Sequence, residues 1–169
     1  LQISVFNSQS LKGYFMPRVY TVVLQAVAVT AAVDLFELTP ADDKPIEIIG
    51  FEIGQTSDSG DAQDEQIRLS IGRGNATSGS GGSGPTPIPM EPNDAAAGFT
   101  AEVANTTQAS SGTLVALTEH VFNVRAGYIQ WFPEICRPKA NQGNTTIVGK
   151  LTAPSDSLTY SATIYVLER

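Results

Sequence analysis

The sequence predicts an all-β protein, a β-sandwich of jelly-roll-like kind, with an N-terminal arm and a long Gly/Ser/Pro-rich loop. Three observations lead there. Apolar residues recur with a period of two in nearly every hydrophobic stretch, as half-buried strands require. These stretches are short, roughly eight to ten in number, and separated by Gly, Pro, Asn and Asp, the pattern of a sandwich or jelly roll. No convincing amphipathic helix appears, and Asp94–Ala97 offers one turn at most.

The elements follow in chain order. Residues 1–16 read as an arm and residues 17–169 as one domain, a size at which roughly two thirds of the unfolded surface can be buried without staples. From Val19 onward Thr21, Val23 and Gln25 alternate with Tyr20, Val22 and Leu24. Asp34–Leu38 is a short strand, ended by the turn cluster Thr39–Asp43. Ile46–Ile53 is the strongest strand, with Gly50 marking a bulge. In Gln66–Ile71, Ile67, Leu69 and Ile71 share one face.

Residues 72–84 are rich in Gly and Ser and are expected to be mobile or ordered only at an interface. Residues 85–92, with four prolines, favour polyproline II or an edge strand. Strand signals resume at Phe99–Ala104, Thr113–Leu117, Glu119–Asn123, Gly127–Phe132, Thr145–Leu151 and Ser157–Leu167.

Composition narrows the function. Charged residues make up 16% of the chain, with 17 acidic against 10 basic and a net charge of −7. Typical soluble domains carry about 25% charge, so this surface is filled instead by small polar residues, as suits packing against neighbours. No basic run exists to meet phosphate, so neither nucleic acid nor an anionic membrane is expected as partner. No apolar run approaches the roughly 20 residues of a membrane-spanning helix. The single cysteine, Cys136, permits no intrachain disulfide and is expected as a small, partly buried apolar residue.

The chemical motifs fall short one by one. The glycine-rich loop lacks the Lys-Ser/Thr ending and the following helix of a phosphate loop. Asp58, Asp61, Asp64 and Glu65 crowd one turn, but their spacing is not that of an EF-hand, and Asp and Ser also build turns unaided. His120, the lone histidine, sits in an apolar strand pattern and reads as structural or interfacial. One His and one Cys do not fill a structural zinc site. No carboxylate pair and no nucleophile–base set is brought together, so neither enzyme activity nor a cofactor is expected. Trp131, with Tyr128, Phe132 and Pro133 nearby, reads as a core or interface anchor.

The arm holds Leu1, Ile3, Val5, Phe6, Leu11, Tyr14 and Phe15, with Lys12 as its one charge. Each such side chain gains roughly 1.5–3 kcal/mol on burial, so full exposure is unfavourable. It is either an ordinary first strand or an anchor. The expectation is that residues 1–15 lie against another subunit, with Leu1, Ile3, Val5, Phe6, Tyr14, Phe15 and Trp131 as candidate interface residues.

Two stretches resemble small proteins among the structural genes of tailed bacteriophages. The first is Ala31–Leu38 continued by Ile46–Arg73. The second is Asn105–Thr113 followed by Glu119–Gly127 and Trp131–Arg137. With the C-terminal strand, the likeness covers much of residues 19–168 and brings no catalytic motif. It implies a virion protein assembled in the bacterial host cytoplasm. The role it implies first is a capsid decoration or cement protein whose partners are the major capsid protein and copies of itself, as a homotrimer. A tail or baseplate component is the alternative within that class, and a carbohydrate- or receptor-binding β module is the alternative outside it.

Overall fold

The computed structural model describes residues 17–57, 65–142 and 145–169. Residues 1–16 lie outside them, and with them the candidate interface residues Leu1, Ile3, Val5, Phe6, Tyr14 and Phe15. So do Asp58, Asp61 and Asp64 of the acidic turn.

Eleven strands and no α-helix make up the described chain: β1 Arg18–Val29, β2 Val33–Thr39, β3 Ile46–Gln55, β4 Gln66–Thr77, β5 Ile88–Pro89, β6 Thr100–Asn105, β7 Ser110–Asn123, β8 Tyr128–Trp131, β9 Lys139–Ala140, β10 Ile147–Leu151 and β11 Leu158–Glu168. One sheet has the order β5-β1-β11-β3-β8, with β9 also on β3; the other runs β6-β2-β10-β4-β7. All pairings are antiparallel.

The topology is that of a jelly roll. Without the short β5, β6 and β9, eight strands pair first with last, working inward: β1 with β11, β2 with β10, β3 with β8 and β4 with β7. This is one long antiparallel ribbon. Rolled up, it places alternate rungs in opposite sheets, which yields the two observed orders.

The alternation read from the sequence decides which side chains enter the core. Tyr20, Val22 and Leu24 of β1 point inward against Ile67, Leu69 and Ile71 of β4 in one buried cluster. A bulge at Ala26, with φ +50°, separates the two straight halves of β1. The bulge near Gly50 is present as well, with Ile49 the extra residue between Ile48 and Gly50.

Three expectations need correction. Residues 72–84 are not a free loop. β4 runs on to Thr77, paired with β7, and Ser80 and Ser83 bridge Thr107 and Val103. The glycines serve close approach rather than looseness, since a Cβ at Gly82 would collide with the Val103 carbonyl oxygen. Second, Thr113–Leu117 and Glu119–Asn123 belong to one 14-residue strand, because the bulge at Leu117 bends the chain without ending the ladder. Third, Cys136 is exposed. It ends a 3-10 turn, Glu134–Cys136, that buries none of its residues.

Candidate functional site

The β8 end of the six-stranded sheet carries the most unusual surface. The register Gly50↔Trp131 sets the indole directly over a residue without a side chain, and any Cβ at Gly50 would collide with the ring. Gly50 also pairs with Tyr165 of β11, so Trp131 and Tyr165 become neighbours, with ring centroids 4.8 Å apart and planes inclined at 38°. Tyr165 Oη donates to Glu52 at 3.1 Å, and burial together with that carboxylate raises the phenol pKa. Trp131 is nonetheless 55% exposed. Of the two roles the sequence allowed it, core or interface anchor, the structure places it on the outside.

Two more apolar side chains stand beside it. Ile129 lies two residues earlier on the same face of β8, and Ile135 on the 3-10 turn is 92% exposed. A hollow of about 560 Å³ opens on this face, lined by Val23, Gln25, Glu52, Gly54, Gly127 and Ile129. Glycines at 54 and 127 leave it shallow-floored, and neither contributes a reactive group.

Below Trp131 the surface turns cationic. Glu47 on β3 is buried, and three cations meet its carboxylate: Arg169 at 2.6 Å, Lys139 at 3.2 Å and Arg137 at 3.3 Å. Burial pushes the Glu47 pKa up, but the hydrogen bonds and charges of Arg169, Lys139 and Arg137 outweigh it and hold it below the usual glutamate value. Arg169 also reaches Glu134 at 3.5 Å. A smaller hollow of about 330 Å³ lies alongside, lined by Arg73, Thr118, Cys136 and Lys139 among others.

The other singled-out residues are structural. His120 is buried, with Nδ1 3.1 Å from Tyr128 Oη and Nε2 3.0 Å from Thr118 Oγ1, and it packs edge-on against Phe51. Burial lowers its pKa, against the pull of the Glu119 charge. Glu65, the described member of the acidic turn, accepts the Ser155 N–H on both carboxylate oxygens, at 3.0 and 2.8 Å. Among the described residues no three His, Cys, Asp or Glu side chains gather as a metal ion requires.

Sequence reasoning missed the polar cluster on the outer side of the five-stranded sheet. Glu37 accepts from Gly79 N–H at 2.9 Å and from Asn105 Nδ2 at 3.3 Å, and Asn105 also reaches Glu102 at 2.8 Å. Asp34, wholly buried, accepts the Ala109 N–H, and its second oxygen has no partner. Burial pushes its pKa up to about 6, against the pull of the Ala109 N–H and the Lys150 charge. Three acidic residues, Asp34, Glu37 and Glu102, lie in this cluster, and the bulge at Leu35 sets Asp34 and Glu37 on one face although they are three residues apart. They are covered because the segments around Gly79 and Ala109 cross over them. Comparison of the chain with family models, with curated proteins and with solved structures returns no match.

Proposed function

We propose that this chain is a structural virion protein of a tailed bacteriophage, a head decoration or cement protein that bridges major capsid subunits. It works as a homotrimer, without catalysis. The observation that carries the reading is the outer face of the six-stranded sheet. Val23 of β1 and Ile129 and Trp131 of β8 stand exposed on one sheet of the jelly roll, where a soluble monomer normally places charge. Exposed apolar surface of this kind marks a contact site. A compact module that touches several shell subunits at once gains retention beyond any single contact. The likeness of residues 19–168 to phage structural proteins supports the same reading, for the head first and for a tail or baseplate part second.

The test is binding to purified phage heads that lack the protein. Co-sedimentation with heads, and density over subunit junctions by electron cryomicroscopy, is the expected result. Failure to bind heads, with binding to tails instead, moves the role to the tail, and failure with both removes the virion role.

One observation favours a carbohydrate- or receptor-binding module. The inclined Trp131–Tyr165 pair beside Glu52 offers a sugar ring a stacking face and a carboxylate. Quenching of the single tryptophan by soluble glycans would support that role.

A further inference from the structure

The exposed apolar side chains of the six-stranded sheet gather at its two lateral edges. One transverse row, Ile88–Thr21–Tyr165–Gly50–Trp131, spans the sheet from β5 to β8. Its terminal members, Ile88 and Trp131, are both more than half exposed, whereas Thr21 and Tyr165 are half-buried and Gly50 is covered. Each end is reinforced. Met90 stands exposed beside Ile88, and Ile129 and Ile135 stand exposed on the Trp131 side.

Charge divides the same way. At the β8 end Arg137, Lys139 and Arg169 converge on Glu47 and Arg73 donates to the Lys139 carbonyl at 2.7 Å, while Glu134 and Glu52 are the other carboxylates, so four cations face three anions. At the β5 end Glu91 and Asp94 face one cation, Arg18, which pairs with Asp94 at 3.5 Å. In a chain of net charge −7, one edge is thus apolar with a cationic surplus and the other apolar with an anionic surplus. Either edge against itself would set like charges together, and the two edges against each other set unlike charges together.

Neither edge suits strand addition. β5 is two residues long, between Pro85, Pro87 and Pro92 and with Pro89 inside it, and β8 is followed within two residues by Pro133. At β5 and β8 themselves a contact is therefore made by side chains.

We infer that the β8 edge of one copy docks head to tail on the β5 edge of a second copy, with Trp131, Ile129 and Ile135 against Ile88 and Met90. Such a contact is heterologous, and repetition of it closes a ring when the rotation allows, which is how a trimer arises. The inference deepens the proposed self-association and rests on that part of the reading, not on the capsid.

Two substitutions in the full chain test it: Ile135→Asp, which sets an acid against the anionic edge, and Met90→Lys, which sets a cation against the cationic edge. Both side chains are exposed, and an unchanged far-UV circular dichroism spectrum verifies the fold. Sedimentation velocity across a concentration series is expected to show association of the full chain. Each variant alone should raise the concentration needed at least tenfold. Mixing the two variants should restore association, because the Met90→Lys copy keeps its β8 edge and the Ile135→Asp copy keeps its β5 edge. Association that responds to Ile135→Asp but not to Met90→Lys, with no rescue on mixing, means β8 against β8 and overturns the inference. So does association that responds to neither. A full chain that stays monomeric throughout overturns the self-association itself, and head binding, measured separately, is then judged on its own.

Discussion

Asp34 and Lys150 stand opposite each other in the β2–β10 register and hold the two polar groups of one residue, Ala109. Asp34 Oδ2 accepts the Ala109 N–H at 2.5 Å, and Lys150 Nζ donates to its carbonyl at 2.6 Å. Gln108 adds a bond from Nε2 to the Val33 carbonyl at 3.1 Å. The crossing from β6 to β7 is pinned to the sheet at this point.

The Asp34 carboxyl should leave a signature in the pH dependence of stability. Its folded pKa, about 6, lies above the ordinary value of 3.8. The folded state therefore binds the proton more tightly, and the stability this group contributes is fully present below pH 4 and lost as pH rises through 6. Asp34→Asn should remove that loss. In urea unfolding, the difference between variant and parent should move in favour of the variant by on the order of 1–2 kcal/mol from pH 4 to pH 7. A difference flat in pH would mean that the carboxyl titrates normally.

Glu47 works in the opposite sense. Its pKa is lowered, so its stabilisation is present at neutral pH and is lost as pH falls through and below the ordinary glutamate value of 4.5. Glu47→Gln leaves Arg137, Lys139 and Arg169 crowded without their carboxylate. Removing one partner of a buried ion pair costs about 3–5 kcal/mol, and partial exposure of the three cations reduces this to about 1–3 kcal/mol. The unfolding midpoint at pH 7 should fall accordingly, and the gap to the parent should narrow at pH 3.

His120 adds a second acid-sensitive contribution. Because burial lowers its pKa, the unfolded chain takes up the proton first, and stability falls as pH drops through the ordinary value of 6.5. An NMR titration of the imidazole should show a midpoint below 6.5. His120→Gln should abolish the stability slope just below that pH, though losing the contact with Phe51 will lower stability at every pH.

Gly50→Ala should lift the indole off the sheet. The added methyl meets the Trp131 ring and the Gln130 carbonyl oxygen, and overpacking of this kind costs about 1–3 kcal/mol. Trp131 is the only tryptophan, so its emission is not mixed with that of another indole. A shift in emission maximum together with a lower unfolding midpoint is expected. An unchanged spectrum would show that the ring does not rest on Gly50.

The sequence by itself determined the fold class. A period of two needs only local information, because successive side chains of a strand point to opposite faces whatever the strand pairs with. Hence β1 and β11 could be read directly, Tyr20, Val22 and Leu24 were legible as one face, and the bulge beside Gly50 could be placed within a residue. What a strand pairs with is a different matter, set by residues far away in the chain. Residues 72–77 looked like loop because Gly and Ser carry little strand propensity, yet pairing with Ser110–Ala116 overrides propensity once a ladder is available. Trp131 looked equally suited to core or surface, and the Gly50 register decided for the surface. Asp34 and Glu37, three residues apart, share a face only because Leu35 is bulged against β10, which depends on the pairing and not on the local pattern. Tertiary structure buried them, because the chain segments that cross that face bring backbone N–H groups to satisfy the carboxylates, and a buried charge is tolerated only where such partners arrive.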